Sequence, residues 1–191
     1  MEDNIKFNLR DWLKTIIIAL IISIIIEKFF ISVTIVSGES MLSTLHNDDR
    51  LIIDKVSYNF DSPRRGEVVV FIPPIKGRED ELFVKRVVGV SGDTYNIEGN
   101  KIYINGELLQ ENYIYNYKDV DRNYEFEFGI VPKGHIYVLG DNRNNSNDSR
   151  SFGCVPVDKI KGRVLTKIWP IKPITTFSAQ YPKYGDGELH K

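Results

Sequence analysis

Ser40 and Lys85 are the two residues whose types and settings indicate chemistry in this chain of 191 residues. Ser40 follows Gly38-Glu39, and a serine hydroxyl becomes a useful nucleophile only when a base removes its proton. Lys85 lies in LFVKRVV, where the two-residue period of a strand places Phe83, Lys85 and Val87 on one face. Apolar neighbours dehydrate an ammonium, so we expect a lowered pKa and a neutral amine able to act as general base. The alternative is a lysine that protects a sheet edge from unwanted pairing.

A second unusual stretch is GDNRNNSNDSRSFG at residues 140–153, which follows the strand-like run HIYVL. It contains almost nothing apolar before Phe152. Such a segment either stays solvated as a flexible loop or folds on its own side-chain hydrogen bonds. In the second case its hydroxyls and amides could orient a lysine amine.

Several other chemistries are excluded by residue spacing. Leu42 stands where G-x-S-x-G needs glycine, and no serine is followed three residues later by lysine. The histidines, His46, His135 and His190, have no metal-ligand spacing, and the chain has neither a P-loop nor G-x-G-x-x-G. We therefore expect no metal and no cofactor. A net charge of −1 with interspersed signs also argues against nucleic acid as a partner.

Cys154 is the single cysteine, so no intramolecular disulfide can form. A lone cysteine can be a nucleophile. Beside Val155, however, Cys154 is interpreted as a small apolar residue that packs in the interior.

The N-terminal part contains the one strongly apolar run, Thr15 to Ile26. These twelve residues rise only about 18 Å as a helix, but residues 12–31 rise about 30 Å, which matches a bilayer core. Flanking lysines can snorkel, and Phe29 and Phe30 suit an interface. A cleaved secretory signal and a buried core helix are the alternatives, although no small-x-small cleavage site follows Ile26.

The resulting domain prediction is a cytoplasmic segment at 1–11, a transmembrane anchor at 12–31 and an extracytoplasmic β-rich domain at 32–191. Lys6, Arg10 and Lys14 precede the run, which places the N-terminus in the cytoplasm by the positive-inside tendency. The protein is thus expected in the cell membrane, with the lipid bilayer as a partner.

The body of the chain is predicted to be mainly β, with a curled or barrel-like antiparallel sheet. Short strand-like runs alternate with Gly, Pro and Asn turns, and IEGNKIYINGE is typical of a hairpin. Tyr and Phe number 10 each, which fits half-buried sheet surfaces. The predicted strands are Arg50–Val56, Glu67–Ile72, Leu82–Val90, Thr94–Ile97, Lys101–Ile104, Tyr124–Ile130, His135–Leu139 and Val164–Trp169.

Three blocks in this order, SGESMLSTL, KRVVGVSGD and LGDNRNNSNDSRSFG, resemble the type I signal peptidases. These are membrane-anchored Ser-Lys endopeptidases that remove signal peptides from exported proteins, and the resemblance runs from the anchor to about residue 170. It implies cleavage after small residues at positions −1 and −3. It further implies Ser40 as nucleophile, Lys85 as general base, Met41 after the nucleophile, Ser146 orienting the lysine amine, an Asp148–Arg150 ion pair, and Asp141 holding Arg86.

Two departures from the family pattern matter. Gly38 stands where some bacterial members carry a serine that assists the oxyanion, so stabilisation is expected from backbone N–H groups, that of Ser40 first. Ser43 replaces the usual proline, which frees φ and restores an N–H donor after the nucleophile.

Two other functions remain open from the sequence. A Ser-His-Asp hydrolase would need His46 or His135 near Ser40, with Asp141 or Asp148 orienting the imidazole. A catalytically silent, membrane-tethered binding module is the other alternative, in which the serine and the lysine are incidental.

Overall fold

The computed structural model describes residues 9–99, 101–115, 127–170 and 183–184. The helices are α1 (Leu9–Phe29) and α2 (Ser149–Phe152). The strands are β1 (Ile31–Ile35), β2 (Arg50–Asp54), β3 (Val68–Phe71), β4 (Phe83–Val90), β5 (Thr94–Glu98), β6 (Lys101–Ile104), β7 (Glu107–Gln110), β8 (Glu127–Ile130), β9 (His135–Leu139), β10 (Val155–Pro156), β11 (Ile160–Trp169) and β12 (Lys183–Tyr184).

Two antiparallel sheets make up the body in the described part of the chain. One has seven strands in the order β1-β2-β11-β3-β4-β9-β10, and the other has five in the order β12-β7-β6-β5-β8. The larger sheet curls into a half-barrel. The prediction of a mainly β domain with a curled antiparallel sheet is therefore confirmed.

The strand predictions differ from the structure mainly at their ends. β2 ends at Asp54 rather than Val56, because the Asp54 carboxylate accepts the Val56 and Ser57 N–H groups and starts a turn. β11 begins four residues earlier than predicted, at Ile160, where it pairs with Phe71 of β3. The predicted strand at Tyr124 is described only from residue 127 onward, and the predicted hairpin is the β5–β6 pair, whose turn residue 100 lies outside the described residues.

The N-terminal helix has different bounds from the predicted anchor segment 12–31, and that anchor stays a prediction. Helix α1 begins at Leu9 and ends at Phe29, and Ile31 already belongs to β1. β-branched Ile31, Val33 and Ile35 favour a strand, and β1 gains a full ladder with β2. Among the described residues, no helix is both long enough and apolar enough to cross a membrane.

Large apolar side chains of α1 are nevertheless exposed. They are Trp12, Leu13, Ile16, Ile17, Ile18, Leu20, Ile21, Ile22, Ile24, Ile25, Ile26 and Phe29. The helix therefore packs little of its apolar surface against the β domain, which excludes the buried core helix that the sequence left as an alternative.

The core consists of three clusters of buried residues that the strands of the two sheets contribute. One cluster of buried residues unites the end of β1 with β2, β3 and β11 and contains Met41 and Leu45, so the segment that follows β1 is pinned to the sheet. A second cluster joins β3, β4 and β9, and a third lies between the two sheets. β4 contributes to the second and third clusters, and its Val84 packs against the first cluster, which contains Val36.

Candidate active site

Ser40 lies in a turn between β1 and β2 that is anchored on both sides. Val36 and Met41 are buried in the core, while Ser40 itself is half-buried. Gly38 has a φ of 98°, a conformation that side chains with a Cβ rarely adopt. Its N–H donates to Asn47 Oδ1 at 2.9 Å. The turn thus exposes Ser40 on a fixed backbone.

Lys85 approaches Ser40 from β4. Its Nζ lies 2.7 Å from Ser40 Oγ and 3.0 Å from the Val84 carbonyl oxygen. The side chain is 4% exposed, and its Nζ lies 5.1 Å from the centroid of the Phe83 ring. The two residues predicted from the sequence to form a nucleophile and base are therefore in direct hydrogen-bond contact, across 45 positions of chain.

Burial lowers the pKa of Lys85 from 10.5 to about 8. Dehydration of the ammonium is the largest cause, because Lys85 sits among apolar neighbours. The carboxylates of Asp148 and Asp141 oppose the lowering, and the Arg150 guanidinium adds to it. An appreciable neutral fraction is consequently present near pH 8, and the neutral amine is within hydrogen-bond distance of the serine hydroxyl whose proton it could accept.

The polar loop at residues 140–153 folds against the Ser40 turn. Asn142 donates its backbone N–H to the Ser40 carbonyl oxygen at 3.0 Å and its side-chain amide to the Glu39 carbonyl oxygen at 3.1 Å. The loop's buried polar residues are Asp141, Asn142, Arg143, Ser146, Asp148 and Ser149. Of the two sequence interpretations, the loop built on its own side-chain hydrogen bonds is the one that the structure shows.

The Asp141–Arg86 pair joins the loop to β4. Arg86 Nε and Nη2 donate to the two Asp141 carboxylate oxygens at 2.9 and 2.7 Å, and both side chains are fully buried. Thr44 Oγ1 also donates to Asp141 Oδ2 at 2.5 Å. One carboxylate therefore connects the Ser40 turn, through Thr44, with the strand residue that follows Lys85.

Asp148 and Arg150 form a second bidentate pair. Arg150 Nε and Nη2 donate to the Asp148 carboxylate at 2.7 and 2.6 Å, and the Gly140 N–H donates to the same group at 3.1 Å. Burial alone would raise the pKa of Asp148, but the hydrogen bonds and charge of Arg150 outweigh it, so this pKa is lowered. The pair thus fixes both ends of the loop.

Ser146 is buried beside Gly140, and its hydroxyl helps to lower the pKa of the Asp148 carboxyl group. The Lys85 amine contacts Ser40 and the Val84 carbonyl instead. The role of Ser146 in orienting the amine therefore stays a prediction. A Cβ on Gly140 would collide with the Ser146 hydroxyl and with the Ser40 carbonyl oxygen, so glycine is required for this close approach.

The residues of a histidine-based alternative lie elsewhere. His135 Nδ1 lies 3.1 Å from the Lys133 carbonyl oxygen. His46 is exposed, and its backbone N–H donates to the Asp49 carboxylate. His190 lies outside the described residues. No group of metal-ligating side chains occurs in the part of the chain that the structure describes.

Cys154 packs against the core between the sheets, and burial raises the pKa of its thiol to about 11. A thiol that resists ionisation is a poor nucleophile. The interpretation of Cys154 as a packing residue agrees with this setting.

Two contacts of the site have no clear signal in the sequence. Thr44 donates to the Asp141 carboxylate, and Asn142 donates to the Ser40 carbonyl oxygen. Polar residues are common in turns and polar loops, so neither residue stands out in the sequence. Only the three-dimensional meeting of the loop with the turn assigns them these partners.

A cleft of about 600 Å³ opens at Ser40 and Lys85. One wall is the end of β1 with the Ser40 turn, and the other is Val70, residues 78–85 in part, Asn145 and Asn147. A cleft of this volume has room for a few residues of a polypeptide. The arrangement supports attack of Ser40 on a carbonyl group held in this cleft.

Comparison with known proteins identifies the family of this chain. Residues 9–169 match the family described as signal peptidase, peptidase S26. Signal peptidase I of Leptolyngbya laminosa is 40% identical over 168 residues, which cover 85% of this chain and 81% of that protein. Signal peptidase IB of Staphylococcus aureus is 34% identical over 179 residues, which cover 86% and 92%. A crystal structure of a signal peptidase I from Enterococcus faecalis, with 32% identity and a TM-score of 0.47, aligns with 54% of this chain and 97% of that one.

This chain belongs to the signal peptidase family S26 and is a serine endopeptidase. The resemblance that three sequence blocks indicated is thereby confirmed.

Proposed function

We propose that this endopeptidase removes N-terminal signal peptides from exported preproteins, with Ser40 as nucleophile and Lys85 as general base. The observation that carries the proposal is the 2.7 Å contact between Lys85 Nζ and Ser40 Oγ, made by a buried lysine of lowered pKa. The named relatives are signal peptidases, which supports a preprotein as the substrate.

The reaction follows from the positions of these groups. Neutral Lys85 accepts the Ser40 hydroxyl proton while Oγ bonds to the scissile carbonyl carbon. The resulting ammonium then gives that proton to the leaving amine, and the C–N bond breaks to leave an ester on Ser40. Lys85 next takes a proton from water, whose oxygen attacks the ester, and returns it to Oγ as the signal peptide leaves.

The negative oxygen of the tetrahedral intermediate needs a hydrogen-bond donor. Among the described residues, the Ser40 N–H donates to no acceptor, so it is available to that oxygen. The Asn142 N–H is already used on the Ser40 carbonyl and holds the turn in place. In our proposal, Ser40 therefore provides both the nucleophile and a backbone donor.

Cleavage after small residues at positions −1 and −3 is part of the proposal. The cleft walls next to Ser40 carry branched or bulky apolar side chains, Val36, Met41, Val70 and Val84 among them. Such walls leave little room for large substrate side chains on the same face of an extended peptide, whose alternate residues share a face.

We further propose that α1 holds the domain at the cell membrane, with the N-terminus cytoplasmic and the catalytic domain on the other side. The exposed apolar side chains of α1 and its direct connection to β1 support this proposal. Carbonate extraction of membranes, with protease digestion from each side, would test it. Release of the full chain by carbonate would contradict anchoring, and digestion of the catalytic domain from the cytoplasmic side would contradict the orientation.

The enzymatic proposal is tested with the full chain purified in detergent and a preprotein substrate. Wild type should cut at the signal-peptide junction, and Ser40→Ala and Lys85→Ala should each lose activity by about 1,000-fold or more. His46→Ala and His135→Ala serve as controls and should keep activity. A Lys85→Ala variant that still cuts would refute the dyad, and an inactive wild type across several preproteins would refute the function.

A further inference from the structure

An ion pair lines the same cleft as Ser40 and Lys85. Arg78 Nε and Nη2 donate to the Glu81 carboxylate oxygens at 2.7 and 2.6 Å, and both residues line the cleft. They belong to the segment between β3 and β4, which leads directly into the strand of Lys85. The pair is thus part of the surface that a cleft-bound polypeptide meets.

The pair is held in a defined position. The Glu81 N–H donates to the Arg78 carbonyl oxygen at 3.1 Å, and the Arg78 guanidinium carbon lies 4.9 Å from the centroid of the Phe83 ring. The Lys85 amine lies 5.1 Å from the same ring. The Phe83 ring therefore contacts the ion pair as well as the catalytic amine, and it places the pair one side chain away from the base.

The charges of the pair cancel as long as both members are present. Side chains of Arg78 and Glu81 are 39% and 46% exposed, so each charge is accessible to a substrate side chain from the cleft. A charged substrate group at this place lies at a similar distance from the positive and the negative side chain, so it gains little electrostatic energy. Removal of Arg78 or Glu81 leaves the other charge uncompensated, and the sign of that charge is known.

We propose that Arg78 and Glu81 form a charge-balanced subsite, in which their mutual neutralisation makes the enzyme indifferent to the charge of the substrate side chain bound beside Phe83. The proposal rests on the proposed function, because it takes a polypeptide as the occupant of the cleft. It assigns the two residues a role in specificity and none in the bond-breaking steps.

Opposite single substitutions give opposite predicted preferences. Glu81→Gln leaves the Arg78 cation and should favour an acidic substrate residue, while Arg78→Gln leaves the Glu81 carboxylate and should favour a basic one. Because both groups are partly exposed, we expect a change of about threefold to fivefold in each direction. The preference should fall at 0.5 M salt, where exposed charges are screened.

The test measures the binding of fluorescein-labelled decapeptides to the full chain in detergent. The peptides carry Asp, Asn or Lys at one position at a time, and the Ser40→Ala background prevents cleavage. The Asp-to-Lys affinity ratio should rise in Glu81→Gln and fall in Arg78→Gln at the same peptide position. A ratio that moves in the same direction in both variants, or in neither, would overturn the proposal.

The control pair is Asp61 with Arg64, which has the same three-residue spacing and a 2.5 Å contact but does not line the cleft. Asp61→Asn and Arg64→Gln should leave the affinity ratios unchanged. Equal changes in the control variants would show a general effect of protein charge and would contradict the subsite. Cleavage of the neutral peptide by wild type reports the proposed function separately, so failure of one claim is not confused with failure of the other.

Discussion

The lowered pKa of Lys85 leads to a quantitative prediction for the pH dependence of catalysis. With a pKa of about 8 instead of 10.5, about one Lys85 in ten is neutral at pH 7, against about three in ten thousand for an ordinary lysine. The kcat/KM of wild type should therefore rise about tenfold per pH unit below pH 8 and level off above it.

Phe83→Ala perturbs this pKa through hydration. The ring over Lys85 acts in two directions, because it excludes water and also attracts the buried ammonium by a cation–π contact of about 2 kcal/mol. The net lowering of the pKa corresponds to about 3 kcal/mol against the charged form, so burial outweighs the attraction. Admitting water should raise the pKa, and each unit of rise should cost about tenfold in kcat/KM at pH 7.

The assay is kcat/KM for a peptide substrate from pH 6 to pH 10.5 in wild type and Phe83→Ala. Activity of the variant should approach that of wild type at the alkaline end, because the amine is then neutral in both. Phe128→Ala, which removes a ring exposed on the smaller sheet, should leave the profile unchanged. A wild-type profile that is flat between pH 6 and 9, or a variant profile displaced to lower pH, would refute the reasoning.

Three further substitutions have predicted outcomes. Lys85→Met should abolish cleavage, yet at pH 7 it should raise the free energy of urea unfolding by up to about 3 kcal/mol. Between pH 8 and 10.5 the wild-type lysine is protonated in the unfolded chain but neutral in the folded chain. The stability difference between Lys85→Met and wild type should therefore narrow as the pH rises through that range. Arg86→Met should cost about 3–5 kcal/mol of unfolding free energy, since it leaves the Asp141 carboxylate buried without its partner. Gly140→Ala should lower kcat by about 100-fold, because its Cβ would displace the Ser40 carbonyl.

Matched substitutions control for these effects. Arg64→Met breaks an exposed pair and should cost no more than about 1 kcal/mol. Gly89→Ala adds a methyl group that meets side chains at 3.3 Å in the core and should affect stability more than kcat. The first prediction is contradicted if Lys85→Met is no more stable than wild type. The second is contradicted if Arg86→Met and Arg64→Met lose the same unfolding free energy, and the third if Gly140→Ala and Gly89→Ala have equal kcat.

The two-residue alternation of β4 is a local signal, and it is enough to single out the central lysine of the site. Phe83, Lys85 and Val87 alternate as a strand requires, so a lysine between apolar neighbours stands out in the amino-acid sequence alone. The amino-acid sequence alone also shows that Ser40 lies between the apolar N-terminal segment and the predicted strand Arg50–Val56. The structure has a strand in each of the eight predicted runs for the same reason, since alternation and turn residues are local signals.

Features that depend on meetings between distant segments were not predictable. β1 follows the long apolar run of α1 almost directly, and its own residues are similarly apolar, so composition does not separate the strand from the helix. Its strand structure depends on pairing with β2. Likewise, the loop at residues 140–153 is polar enough to be solvated, and its contacts with Arg86, with Glu111 and with the Ser40 turn bury it. Sequence composition does not report such long-range partners.

The most direct test of the dyad is to trap the ester intermediate. Full-length enzyme in detergent is mixed with a preprotein and quenched in acid within one turnover, and the position of the acyl group is then mapped by peptide mass spectrometry. Our account predicts the signal peptide attached to Ser40 in wild type, with an acylation rate at least about 1,000-fold lower in Lys85→Ala. An acyl group on any other residue, or an acylation rate that does not depend on Lys85, would contradict it.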